Sequence, residues 1–239
     1  MLTGDIVKIG DISSGDAEKM FRLLSAHFDG VLLPNFLADL KEKHGAIILR
    51  DKETGEIAGF STLLVLETAV DGEQVKAVFS GDTIVERSHW GETELGRLWL
   101  KFVFDFMESN PGGKLYWFLI SQGYRTYSYL PNYFNEFYPR HDKTAPPFEQ
   151  KVLDALASEK FPGEYDAKTG IIRFKTPRDH LKPELSQINE KRLKNPHVRF
   201  FAEKNPFHHL GDELACIAPL AKENFKPVAY RVMNWKTSG

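Results

Sequence analysis

Between Ala46 and Val85 three runs of apolar and β-branched residues follow one another, separated only by the polar turns Asp51–Glu56 and Asp71–Glu73. Ala46–Arg50 and Ile57–Glu67 meet as a hairpin across the first turn, and the second turn leads into a further strand, Val75–Val85. In that third run Val75, Ala77 and Phe79 alternate until Ser80-Gly81-Asp82 interrupts them, which marks a bulge beside a site. A sheet is the feature this chain is committed to, and the rest of the sequence has to cover it.

The covering pieces read as helices. Asp16–Phe28 sets Ala17, Met20, Phe21, Leu24 and Phe28 on one face, with Ser13 or Ser14 as the cap, and Val31–Lys43 gives a shorter helix after Pro34. The polar segment Glu86–Gly96 precedes a helix through Leu98, Phe102 and Phe106 that ends near Asn110–Gly113. Lys114–Ile120 is almost wholly apolar, as a strand buried on both faces would be. Tyr127–Tyr138 is aromatic-rich and reads as helical despite Pro131. Beyond Pro146-Pro147 come a helix at Phe148–Ser158, a strand at Ile171–Phe174, a polar and partly helical stretch at Pro177–Asn195, and weaker strands at Val198–Ala202 and Lys226–Met233. The expected fold is α+β, a mixed central β-sheet flanked by helices over residues 1–145. Residues 146–239 form a C-terminal extension or small subdomain packed on it.

Composition removes several classes of function. With 42% hydrophobic residues in 239, the chain can bury a real core. Its 31 basic and 33 acidic residues give a net charge of -2 without long blocks, so no nucleic-acid partner is expected. No apolar run approaches the roughly 20 residues of a membrane span, and Met1–Lys8 lacks the pattern of an export signal. The single Cys216 forms no internal disulfide, in keeping with a cytoplasmic setting, and reads as a buried small apolar group. His208-His209 and Asp212-Glu213 flank Gly211 in what reads as a solvated turn, so no metal is expected. A Gly-x-x-x-x-Gly-Lys-Ser/Thr loop, a Gly-x-Ser-x-Gly elbow and a His-Glu-x-x-His helix are all lacking.

The order of Ala46–Arg50, Gly59–Val65, Thr83–Glu86, Trp90-Gly91 to Gly96-Arg97-Leu98, and Tyr116–Ile120 resembles the GCN5-related N-acetyltransferase (GNAT) superfamily. The likeness covers about 95 residues, or roughly 140 with the first two helices, and is one of order more than of sequence. It implies that backbone N–H groups where the fourth strand turns into the following helix hold the diphosphate of an acyl-coenzyme A, since N–H groups at a helix start lack partners and the peptide dipoles favour an anion there. Carried onto this chain, that site comprises Val85, Arg87, Gly91, Gly96 and Arg97. The family's turn is Arg/Gln-x-x-Gly-x-Gly/Ala, whereas here the glycines stand five apart with Glu92-Thr93-Glu94 between them. Those acids also read as capping residues of a turn that holds no ligand.

The resemblance further implies a splay between the fourth and fifth strands for the pantetheine arm, a base for the acceptor and an acid for the departing thiolate. Glu86 and His89 are the base candidates, and Tyr133 and Tyr138, with Tyr127 slightly behind them, the acid candidates. Each has a plainer reading: Glu86 as a solvated partner of Arg87, His89 as a packed or capping side chain beside Trp90, and most of the tyrosines as packing. Phe134, Phe137 and Tyr138 are expected to extend an apolar surface toward a large or lipophilic acceptor. Arg125, Arg140 and Lys143 are candidates for a carrier's phosphate. The function implied is transfer of an acyl group from acyl-coenzyme A, without a metal, to an amine or hydroxyl of a small molecule. The alternatives are transfer from acyl carrier protein, or non-catalytic binding of a small molecule or protein on a degenerate fold of this kind.

Overall fold

The computed structural model describes residues 1–174 and 179–234, so the start of the polar stretch Pro177–Asn195 lies outside the described residues. Strand β1 (Leu2–Lys8) is followed by helices α1 (Ser14–His27) and α2 (Leu33–Glu42). The three apolar runs become β2 (Gly45–Asp51), β3 (Ile57–Val70) and β4 (Glu73–Val85). Helix α3 (Glu94–Ser109) leads to β5 (Lys114–Ser121). Short turns α4 (Tyr124–Tyr127) and α5 (Tyr129–Tyr133) then precede α6 (Pro147–Lys160). The expected helix over Tyr127–Tyr138 is thus two short turns ending at Tyr133.

The later part of the chain does more than lie on this sheet. A hairpin of β6 (Tyr165–Asp166) and β7 (Ile171–Ile172) and the strand β8 (Glu213–Pro219) complete an eight-stranded sheet of order β1-β2-β3-β4-β5-β8-β7-β6. All neighbours run antiparallel except β4 and β5, which are parallel. Residues on both sides of position 145 therefore share one sheet. Strand β8 falls between the two weaker strands expected at Val198–Ala202 and Lys226–Met233, where no strand was expected, and it puts Cys216 fully inside, where burial pushes its thiol well up.

Two expected strands are helices instead. Val198–Ala202 lies in α7 (Pro196–Lys204), and Lys226–Met233 becomes α8 (Pro227–Met233). In both, a proline at the helix start fits a position whose N–H needs no partner, and in α7 the Asn195 side chain accepts from the His197 N–H at 2.9 Å. End signals here outweigh the β-branched and aromatic residues that suggested strands. Asn195→Ala should lower the unfolding free energy by about 1 kcal/mol in a urea titration.

Alternation along the strands sorts the core. Ile47, Leu49, Trp117 and Leu119 face α3, α7 and α8, while Ala46, Ile48 and Phe60 face α1 and α2, and Tyr116 and Phe118 face α6. Helix α1 starts as expected, with the Ser13 hydroxyl accepting from the Asp16 N–H at 3.0 Å. Among the described residues no helix is long and apolar enough to cross a membrane.

Candidate active site

The sheet forks in its middle. Strands β4 and β5 stay paired from Val75 opposite Lys114 to Ser80 opposite Leu119, and no further. Beyond that point β4 follows β3 alone, with Gly59 opposite Val85, while β5 follows β8, with Ser121 opposite Leu214. The cause lies at Gly81-Asp82, where the register against β3 shifts between Ser61 and Leu63, as the interrupted alternation predicted. Gly81 fits there because a β-carbon would stand 2.4 Å from Thr62 Oγ1. At the fork itself, Ser80 Oγ accepts hydrogen bonds from the indole N–H groups of Trp99 (3.1 Å) and Trp117 (3.0 Å), tying α3 and β5 to the last paired residue of β4. A cleft of about 860 Å³ passes through the opening, walled by Gly81–Val85 on one side and by Ile120 and Gln122 on the other.

One end of the cleft is the start of α3. No side chain caps this helix at Thr93; Thr93, Leu95 and Gly96 line the cleft, and neither neighbouring carboxylate is bonded to a first-turn N–H. Glu92 instead accepts from the Leu2 N–H (2.6 Å) and from His89 Nδ1 (2.8 Å). Burial alone would raise the Glu92 carboxyl, but these bonds and the N-terminal ammonium hold it below the usual range. Glu94 turns to Arg97, taking two bonds of 2.8 Å. Gly91, with φ +101°, opens the turn, and Gly96 in the first turn of the helix faces the Tyr133 hydroxyl. Burial, and then neighbouring Tyr129, push Tyr133 up to about 12, so its hydroxyl stays a proton donor at neutral pH. Trp90 donates its indole N–H to the Val85 carbonyl at 2.8 Å, and the Arg125 guanidinium lies 4.3 Å from the centre of its ring.

Another part of the wall is built from α1, α2 and the end of α6. Its lining includes His27, Phe28, Val31, Phe36, Lys43 and Phe161. Lys43 is buried; its ammonium reaches Asp39 Oδ1 at 2.6 Å and sits 6.0 Å from the Phe79 ring centre. Gln122 fixes the neighbouring loop, accepting from the Leu181 N–H (2.6 Å) and donating to the Asp179 carbonyl (3.1 Å).

The sequence-predicted residues divide. Val85, His89, Gly91, Gly96 and Tyr133 line the cleft. Glu86 is exposed and outside that lining, Arg87 pairs with Glu184 (2.9 Å), and Arg97 is held by Glu94. His89 sits between two carboxylates, with Nδ1 on Glu92 and Nε2 3.5 Å from Asp51 Oδ2, so each ring nitrogen already faces an acceptor. Of the other acid candidates, Tyr138 donates to Glu136 and Tyr127 to the Pro139 carbonyl, both away from the cleft. Phe134, Phe137 and Tyr138 are core residues, so the expected apolar surface at the acceptor entrance does not come from them. Arg140 and Lys143 are paired with Asp142 and Glu136, and only Arg125 of the three basic candidates reaches the cleft. Asp212 pairs with Arg173, and among the described residues no group of three His, Cys, Asp or Glu side chains is placed to hold a metal. His27, Lys43 and Gln122 were not foreseen, since the strand pairing and the cleft bring them in from distant segments.

No protein-family model and no curated protein matches the sequence. Among solved structures the chain is similar to a conserved protein of unknown function from Enterococcus faecalis V583 described as a probable N-acyltransferase, at 14% identity and TM-score 0.43, over 56% of this chain and 33% of that one. It is similar to glucosamine-6-phosphate N-acetyltransferase from Arabidopsis thaliana at 19% identity and TM-score 0.36, over 49% of this chain and 81% of that one. Saccharomyces cerevisiae N-myristoyltransferase with bound myristoyl-CoA gives 14% identity and TM-score 0.38, over 51% of this chain and 29% of that one. The matched part thus spans about a third of the Enterococcus and yeast proteins.

Proposed function

We propose that this chain transfers an acyl group from acyl-coenzyme A to an amine or hydroxyl of a small molecule. The reading rests on one observation: β4 leaves β5 at Ser80 and Leu119 beside a helix start that no side chain caps. In this reading the diphosphate takes the N–H groups of the first turn of α3, with Gly91 leaving room, Gly96 packed under the Tyr133 hydroxyl, and Arg125 supplying positive charge. The acyl-bearing arm lies in the fork along Gly81–Val85, where strand edges have backbone groups to offer. The Tyr133 hydroxyl, protonated at working pH, gives its proton to the departing thiolate.

Calorimetric titration with coenzyme A, acetyl-coenzyme A and octanoyl-coenzyme A tests this directly. Saturable heats in the range of about 1 µM to 1 mM are expected, with an acyl-carrier protein giving a weaker signal or none. Absence of heat from every coenzyme A species would overturn the donor. Heat from acyl-carrier protein alone would replace it with a carrier-borne thioester.

A further inference from the structure

The cleft contains several acid–base side chains, and most are already engaged. Asp39 holds Lys43, Glu92 holds His89 and the Leu2 N–H, and Lys160 pairs with Glu42 at 2.8 Å. His27 differs. It closes α1, only 7% of its side chain is exposed, and it lies in the cleft lining. Its Nδ1 is 3.0 Å from the Leu23 carbonyl, which can only accept, so the ring proton is on Nδ1. Nε2 therefore carries the lone pair, and this buried atom has no hydrogen-bond partner. A buried polar atom without a partner costs about 1–3 kcal/mol, a cost removed if a ligand meets it.

The wall around His27 is largely apolar, with the Asp39–Lys43 ion pair also in the lining. Leu24, Phe28, Val31 and Phe36 share its end of the cleft, and Leu32 beside them is 59% exposed. Leu24 packs in one cluster with Ile84 of β4, which places this end of α1 against the forked strand. Such a wall suits an alkyl or aryl body, and the unpartnered Nε2 suits a hydrogen-bond donor.

We infer that His27 is the proton acceptor for a primary amine carried on an apolar group, and that this amine is the acyl acceptor; the inference rests on the acyl-transfer reading above. The neutral amine nitrogen forms a bond to the thioester carbonyl carbon and the carbon–sulfur bond breaks. The extra proton on nitrogen passes to His27 Nε2, and the sulfur takes the proton of Tyr133. The products are an amide and the free thiol, and proton exchange with solvent restores both side chains.

Octylamine and spermidine are suitable probes, one apolar and one polar. In protein with nitrogen-labelled histidine, the His27 ring resonances, assigned with His27→Gln, should show a protonated Nδ1 and a bare Nε2. Octylamine should shift the Nε2 signal and spermidine should not. With acetyl-coenzyme A present, His27→Gln should keep its coenzyme A affinity while kcat for octylamine falls about 10²-fold or more. Added imidazole should restore part of the rate to His27→Ala. An Nε2-protonated ring, an Nε2 signal that octylamine leaves in place, or full turnover by His27→Gln would each overturn the assignment. Failure of the wild-type protein to bind coenzyme A while octylamine still moves Nε2 would instead remove the transfer reading and leave His27 as an amine-binding group only.

Discussion

Urea unfolding of Ser80→Ala should show a loss of about 2–4 kcal/mol, large for the removal of one oxygen atom. The Ser80 hydroxyl is the acceptor for two indoles that pack 4.4 Å apart between ring centres, and both are inside the core. Without it, two buried N–H groups lose the acceptor they share, and each such group costs about 1–3 kcal/mol. The neighbouring rings leave little room for relaxation, because Phe134 lies 6.3 Å from Trp99 and 5.7 Å from Trp117. Ser80→Thr keeps the oxygen and should retain much of the lost stability. A Ser80→Ala variant within about 0.5 kcal/mol of the parent would mean that the indoles find other acceptors.

The same site explains what the sequence revealed and what it hid. Local signals were readable where one segment supplies both the pattern and its cause. The alternation broken at Ser80-Gly81-Asp82 announced the bulge, the Ser13-Ser14 pair announced the start of α1, and the apolar run from Lys114 announced a strand covered on both sides. The separation of β4 from β5 follows from that bulge together with the β8 strand, which takes over pairing with the end of β5. Strand β8 escaped notice because its Leu214–Ala218 run is short and flanked by turn residues, and nothing near it in sequence names β5 as its partner. Strand β1 escaped for the same reason, although its pairing with β2 brings the Leu2 N–H to Glu92 and so turns that acid away from the start of α3. Two acidic residues at a helix start, Glu92 and Glu94, read as caps in sequence; their actual partners, Leu2, His89 and Arg97, decide that they are not. The misread strands at Val198–Ala202 and Lys226–Met233 point the other way, since Asn195-Pro196 and Lys226-Pro227 were local signals available in the chain.

The Gly96–Tyr133 contact gives a sharper test of the active-site reading than either residue alone. An alanine β-carbon at position 96 would stand 2.8 Å from the Tyr133 hydroxyl oxygen, while its next neighbours, Val232 Cγ1 at 3.5 Å and Tyr133 Cζ at 3.7 Å, are at ordinary contact distances. Gly96→Ala should therefore displace the hydroxyl, although the change favours a helix by about 1 kcal/mol. Tyr133→Phe should lower kcat by about 10²-fold with coenzyme A affinity unchanged, because it deletes the proton donor and little else. Gly96→Ala alone should approach the same loss by moving that donor. In the Tyr133→Phe background the clash is gone, so adding Gly96→Ala should cost no further activity and should raise the unfolding free energy, a non-additivity that a double-mutant cycle reads directly. The pH profile supplies the sign. A tyrosine at its ordinary value near 10 would stop donating on the alkaline side of that pH, whereas burial raises Tyr133 to about 12 and keeps the hydroxyl protonated above it. Wild-type kcat should thus show no alkaline fall near pH 10 arising from this group, and Tyr133→Phe should lower the whole profile without adding one. Strict additivity in the cycle, with kcat insensitive to Tyr133→Phe, would assign the hydroxyl to packing and leave the thiolate to be protonated from solvent.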